Sequence, residues 1–360
     1  MTRPRSRSGG MLLRLAVWFL FISAGVILLL ASTLAMAYQG FASPVILDFP
    51  KGTSTVAMAR ELADAGVVRY PWQFVLARLL SPAARLQAGE YQFAHSDTTW
   101  NVFHRIVRGD VFFYELTVPE GSNMFDIAAS LDQFDFLKAA DFLRAARDPS
   151  LIRDLAPDAP TLDGYLFPST YRLTRRTTAR ELCQMMTDLF RKQWRQLQSA
   201  DHPAAVNQTV TLASLIEKET AVPDERPLVA SVYLNRLRLG MPLDCDPTTI
   251  YAAILEQRYR GTIYRSDLQS VNQYNTYQHA GLPPGPIANP GAASLRAALA
   301  PASTDYLYFV AKADGSGSHR FSKTAEEHNR AVQNYRHNLR KADPPRPHER
   351  ARKSRHSRPA

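Results

Sequence analysis

Cysteine is scarce in this 360-residue chain: Cys183 and Cys245 are its only two. They lie 62 residues apart, which does not by itself establish a disulfide, and no Cys/His group has zinc spacing. The nine histidines are scattered, with no HExxH run among them. Walker-type and dinucleotide-type glycine patterns are missing too. Metal and nucleotide chemistry therefore have no support, and no cofactor is expected. A basic face is also lacking. Of the net charge of +10, residues 1–14 carry +4 and residues 341–360 carry +5, which leaves +1 for the body. A nucleic-acid footprint would place the excess on the folded domain, so nucleic acid is not an expected partner.

What is present begins with "LAVWFLFISAGVILLLASTLAMA", residues 15–37, 23 positions without a charge. At ~1.5 Å per residue such a helix spans about 34 Å, enough to cross a hydrocarbon core of ~30 Å. The small residues at 35–37 resemble a signal-peptide cleavage site. The apolar run is longer than the roughly 7–15 residues of a signal-peptide core, however. An uncleaved transmembrane helix over 15–38 is the expectation. Arg3, Arg5, Arg7 and Arg14 precede it and no basic residue follows closely. That bias puts residues 1–14 in the cytoplasm and the body outside the inner membrane. The last stretch, 341–360, is Pro-rich and charged, and reads as a disordered basic tail.

The body has 45% apolar residues, enough for a sizeable core and two or three modest domains. "PKGTSTVAMAREL" at 50–62 and "PEGSNMFDIAASL" at 119–131 share one pattern. In each, a Pro-Gly turn ends an extended run ("PVILDF", "FFYELTV"), and a hydroxyl residue or asparagine caps a short helix. Val56, Ala59 and Leu62, like Phe125, Ala128 and Leu131, fall on one helical face. The repeat predicts a compact module over 44–135. Helices are expected at 177–198, 207–221, 224–239 and through the segment ending at 342. A strand is expected at 305–313, and "LDGYLFPSTYRL" (162–173) reads as a loop entering a strand. The stretch 240–292 reads as loop. The fold class is α+β: one N-terminal transmembrane helix, a small α/β module, then a mixed α+β domain over 136–340.

The helix "TLASLIEKETAV" carries two glutamates. Leu212, Leu215 and Ile216 form its apolar face, and Glu219 points the same way. Glu217 points to the other side, beside the small residues Val210, Ala213, Ser214 and Ala221, where a ligand would find room. Glu219 needs a cation or the edge of the core; Arg226, Arg236 and Arg238 are candidates. Most glutamates on helices are simply solvated. The loops that follow concentrate amide, hydroxyl and aromatic groups: "YLNR", "CDPTTIY" and "QYNTYQHAGLPPGPIANPG". Such groups suit a polymer groove, rings on sugar faces and amides on sugar hydroxyls. A loop of such length is more often functional than not.

Taken in order, "ASLIEKETAV", "VASVYLNRL", "DPTTIY", "YNTY", "GLPPGPIANPG" and "YLYFVA" resemble the endolytic murein transglycosylase family, the membrane-anchored YceG-like enzymes. The resemblance covers about 45–338 and is densest over 205–335. Upstream, the two Pro-Gly units with "LQAGEYQF" and "GYLFPSTYRL" resemble the part of the family that includes a LysM-like domain. It implies that Glu217 is catalytic, within a periplasmic domain of an inner-membrane protein, and that no cofactor is used. The implied substrate is the peptidoglycan glycan strand, cleaved at the MurNAc-β-1,4-GlcNAc bond to leave 1,6-anhydro-MurNAc ends. Glycan polymerases are the implied partners. Glu219 is then the expected supporting carboxylate, and Asn235, Thr248, Tyr274, Asn275 and Tyr277 the expected substrate contacts. Cys245 departs from the polar residue expected before Asp246.

A lone glutamate suffices for such chemistry. Partial burial would keep Glu217 protonated, ready to give its proton to the leaving oxygen. As a carboxylate it would then take the proton of the substrate's own C6 hydroxyl, which attacks C1. A hydrolase needs a second carboxylate or an activated water. Two rivals stay open: a glycan-binding scaffold in which Glu217 is structural, and a lysozyme-type hydrolase.

Overall fold

The computed structural model describes residues 8–197 and 205–342, and the chain is mixed helix and strand. The basic segments expected at 1–14 and 341–360 lie mostly outside the described residues. The chain divides into two compact units, Met1–Tyr114 and Glu115–Ala360.

The first unit opens with α1 (Ser8–Thr33), in which Arg14–Thr33 has a mean hydropathy of 2.5 and no buried residue. It is long and apolar enough to cross a membrane. There follow β1 (Ala37–Tyr38), β2 (Val45–Phe49), α2 (Thr55–Asp64), α3 (Pro71–Leu80), β3 (Gly89–Phe93), β4 (Asp97–Thr98) and α4 (Thr99–Arg108). β2 and β3 pair antiparallel, Val45 opposite Phe93 and Phe49 opposite Gly89; β1 pairs with β4. The expected hydroxyl cap is there: the Ser54 side chain accepts the Ala57 N–H and starts α2. Thr98 does the same for α4, and Gly109, at φ 73°, ends it in the left-handed region. Phe49, Leu62, Phe74, Tyr91, Phe103 and Ile106 form a fully buried core.

The second unit begins with the second repeat copy, β5 (Tyr114–Val118) and α5 (Met124–Ser130), the latter capped by Asn123 as expected. α6 (Ala139–Ala146), β6 (Ser169–Leu173) and α7 (Ala179–Leu197) follow. β5 pairs with β6, and α5 packs on α6. The stretch 44–135 therefore divides between the units, one strand-turn-helix copy in each. A repeat encodes its own turn and cap, but a strand's open edge takes whichever partner the rest of the chain brings.

The remainder is α8 (Val206–Glu219), α9 (Arg226–Arg238), α10 (Asp246–Leu255), α11 (Arg265–Leu268), α12 (Ala292–Leu299), β7 (Tyr308–Ala311), β8 (His319–Ser322) and α13 (Ala325–Ala342). α8 stops two residues short of the expected 221, with Thr220 extended at φ −138°. Pro223 follows closely, and the residue before a proline resists helix. The segment "DPTTIY", expected as loop, opens α10, with Pro247 in its first turn, where a missing N–H costs nothing. Leu215, Ile216, Val229 and Tyr233, buried between α8 and α9, anchor the core of this unit. Each such side chain contributes about 1.5–3 kcal/mol.

Candidate active site

Glu217 stands in the last turn of α8 with its side chain 6% exposed. Its Oε2 accepts the N–H of Gly291 at 2.9 Å, and Nη2 of Arg226 lies 3.4 Å from Oε1. Arg226 opens α9, directly after the short turn that follows α8, so local chain order delivers this partner. Gly291 is the N-cap of α12, so the positive end of that helix faces the carboxylate. Each carboxyl oxygen of Glu217 thus faces one donor.

A second carboxylate meets the same backbone. A Cβ placed on Gly291 would lie 1.9 Å from Oε1 of Glu120. Only glycine lets Glu120 approach so closely. Burial pushes the Glu120 carboxyl above its ordinary range, the charge of Glu217 adds to this, and Arg226 opposes it. Glu120 belongs to the Pro-Gly turn of the second repeat, and Gly121 there adopts φ +77°. The carbonyl of Gly121 accepts from Nζ of Lys218 at 3.2 Å, which ties this turn to the end of α8.

A buried polar network holds these segments. Oδ1 of Asn289 accepts the N–H groups of Gly164 (2.8 Å) and Leu166 (2.9 Å), while its Nδ2 donates to Ser122 O (2.8 Å) and to Oδ1 of Asp163 (3.3 Å). The backbones of Gly121 and Asn289 are bonded as well, N–H to carbonyl at 2.9 Å. Asp163, fully buried, also accepts from Met124 N–H at 2.9 Å and from the Tyr251 hydroxyl at 2.7 Å. Burial pushes its carboxyl up to about 7 despite these hydrogen bonds.

The small residues beside Glu217 do a different task from the one expected. Val210, Ala213 and Ser214 are all fully buried. Ser214 Oγ accepts the Ile287 N–H at 3.1 Å, so this face receives the loop that leads into α12. Small side chains permit that close packing rather than leaving space for a ligand, and Ala221 lies beyond the helix.

Among the described residues, no arginine pairs with Glu219. Arg226, one expected partner, goes to Glu217. Arg236 donates instead to Leu307 O at 2.7 Å and to Asp244 at 3.1 Å. Glu219 accepts from the Cys245 thiol at 3.1 Å, and burial pushes its carboxyl pKa upward. The residue that departs from the expected pattern is thus the partner of the second glutamate. Cys183 and Cys245 are both buried and unpaired with each other. A cavity of about 430 Å³ opens beside Glu219 and is lined in part by Tyr277, Arg236 and Asp246.

The five expected contacts do not gather around Glu217. Asn235 gives its amide hydrogens to Thr304 O (2.8 Å) and Tyr306 O (3.0 Å). Thr248 donates to Cys245 O, and Asn275 donates to Ser270 O and accepts from Thr249. Thr248 and Asn275 are fully buried, so these groups shape the loops. Tyr274 packs on Tyr251, ring centroids 4.9 Å apart. Tyr277 is partly exposed, donates to Asp246 at 2.7 Å and faces the cavity beside Glu219. Among the described residues, no three His, Cys, Asp or Glu side chains are grouped to hold a metal ion.

Sequence reasoning missed Glu120, Gly291, Asn289 and Asp163. One signal for Glu120 was available: the repeat reads Pro-Lys-Gly in its first copy and Pro-Glu-Gly in its second.

The description of the YceG-like family matches residues 47–334. The chain belongs to the YceG-like family. Among its relatives, the endolytic murein transglycosylase of Bacillus subtilis (strain 168) is 32% identical over 81% of this chain and 84% of its own length. The endolytic murein transglycosylase of Streptococcus pneumoniae D39 is 28% identical, over 80% of this chain and 58% of its own length. A crystal structure of a YceG-like protein from Listeria monocytogenes aligns with a TM-score of 0.53 and 31% identity, covering 80% of this chain and 99% of that one. All the residues of the glutamate site described above fall inside the matched span of this YceG-like chain.

Proposed function

We propose that the protein is an endolytic lytic transglycosylase of peptidoglycan. It cleaves the MurNAc-β-1,4-GlcNAc bond within glycan strands, leaves 1,6-anhydro-MurNAc ends and thereby terminates nascent strands. The observation that carries this reading is the Glu217 carboxyl, 6% exposed and held by the Gly291 N–H and Arg226. The family and the names of its relatives support the substrate.

In the first step Glu217 gives its proton to the leaving glycosidic oxygen, and positive charge develops at the anomeric carbon. Arg226 and the α12 N-terminus stabilise the carboxylate that this transfer creates. In the second step Glu217 takes the proton of the C6 hydroxyl as that oxygen bonds to C1. The proton lost in the first step is thus recovered, and no water is consumed.

The same reading gives the first unit a LysM-like, glycan-holding role and the second unit the catalysis. α1 crosses the inner membrane once, with the N-terminus cytoplasmic and the catalytic unit periplasmic, next to glycan polymerases. One observation favours a second reading. Glu120 beside Glu217 is the further carboxylate that a lysozyme-type hydrolase needs.

The test is mass spectrometry of the products from purified peptidoglycan, with the full chain and its Glu217→Gln variant in detergent. Anhydro ends from the parent and none from the variant are the expected result. Ends that carry an added water would move the protein to the hydrolases. Binding without cleavage would make it a scaffold.

A further inference from the structure

The first unit leaves one helix face uncovered. α3 buries Gln73, Phe74 and Ala77 against the core. Its outward face is apolar as well: Trp72 is 41% exposed, Leu79 70% and Leu80 52%, with Val75 and Leu76 partly buried between them. Only Gln73 and Arg78 are polar along the ten residues, and Gln73 points inward. A helix apolar on both faces is ordinarily covered on both.

Both ends of α3 meet the end of α1. Gln73, in the first turn of α3, donates from Nε2 to the carbonyl of Thr33 at 3.3 Å. Leu80, at its last position, lines an apolar groove of about 490 Å³ with Trp100, and Ala31, Leu34 and Ala35 form the rest of its apolar wall. Leu34 is itself part of the core, and its carbonyl accepts the Trp100 N–H at 3.2 Å. No linker separates the apolar helix from the folded unit. α3 therefore lies at the level where α1 ends. Tyr70 and Trp72, both partly exposed, stack there with centroids 6.3 Å apart. Tyr and Trp are the side chains enriched where a membrane meets water.

We propose that the outer face of α3, with the groove at the end of α1, is seated among the lipid acyl chains of the leaflet from which α1 emerges. The occupant is lipid because the groove wall includes the end of the membrane helix itself: Ala31 and Leu34 meet Leu80 of α3 there, with the polar Thr98 and Asn101 at the same groove. The proposal rests on α1 crossing the membrane.

The experiment reconstitutes the full chain in phosphatidylcholine vesicles whose acyl chains carry bromine, a contact quencher of tryptophan. Three variants are compared. One keeps Trp18 of α1 (Trp72→Phe, Trp100→Phe) and one keeps Trp72 (Trp18→Phe, Trp100→Phe). The third adds Leu79→Glu and Leu80→Glu to the second. All retain Trp194, buried in α7, as a background that also reports folding. The expected result is loss of emission from Trp18 with deep bromines and from Trp72 with shallow ones, the Trp72 loss shrinking in the glutamate variant. Quenching of Trp18 without Trp72 would overturn the proposal and leave the membrane helix standing; the face would then be covered by water or protein. Quenching of neither would remove the membrane helix and this proposal together.

Discussion

Glu217 and Glu219 are two residues apart on one helix, yet they live in different chemistry. Glu217 faces donors, a guanidinium and a helix N-terminus; Glu219 faces a thiol and the core. Glu217→Gln preserves the shape but removes the transferable proton. Formation of anhydro ends should fall by about 10²–10⁴-fold, the usual worth of a positioned acid-base group, with circular dichroism unchanged. Gly291→Ala tests the crowding beneath the pair. The new methyl would collide with the Glu120 carboxylate, which is the movable end of a side chain. Thermal stability should change little, while turnover falls on the order of 10²-fold as the site is displaced. Product assays beside thermal melts separate the two effects.

At the scale of elements, the site depends on a knot of hydrogen bonds that no single helix contains. Asn289 joins the loop before α12 to the Gly164–Leu166 loop and to Ser122, which lies next to the Glu120 turn. Asn289→Ala strands two buried backbone N–H groups, at about 1–3 kcal/mol each. The denaturation midpoint should fall accordingly, and activity should fall with it. Asp163 gives the same knot a pH dependence. An unfolded aspartate ionises near 3.9, whereas burial holds Asp163 protonated up to about 7. Between those values the folded state keeps a proton that the unfolded state has lost. Stability therefore decreases as pH rises from about 4 to about 7, then levels off. Urea midpoints across that range should fall with pH in the parent and fall less in Asp163→Asn.

For the whole molecule, charge and apolar surface are separated along the chain. The net excess lies at the ends, and Arg14–Thr33 is an apolar helix without a buried residue. The full chain should require detergent for extraction, as ultracentrifugation of membranes with and without detergent would read. Each unit also has its own buried cluster, Phe49 to Ile106 in the first and Leu212 to Ile287 in the second.

The sequence by itself determined the parts. Periodicity and caps set where most helices begin, because a cap and its helix are neighbours in the chain: Ser54 and Asn123 were legible as starts of α2 and α5. Helical spacing also separates Glu217 from Glu219, since helical faces follow from spacing alone. It was not legible that DPTTIY starts a helix, because proline and aspartate serve loops and first turns equally. Tertiary structure decided which faces meet. Gly164 and Asn289 bond across 125 residues, and Gly291 reaches Glu217 across 74. Spacing along the chain carries no record of such encounters, which arise only when buried polar groups must find partners in the packed interior. For that reason Arg226 meets Glu217 and not the Glu219 that spacing suggests, and Glu120 joins the site only through the fold of the second repeat against α8.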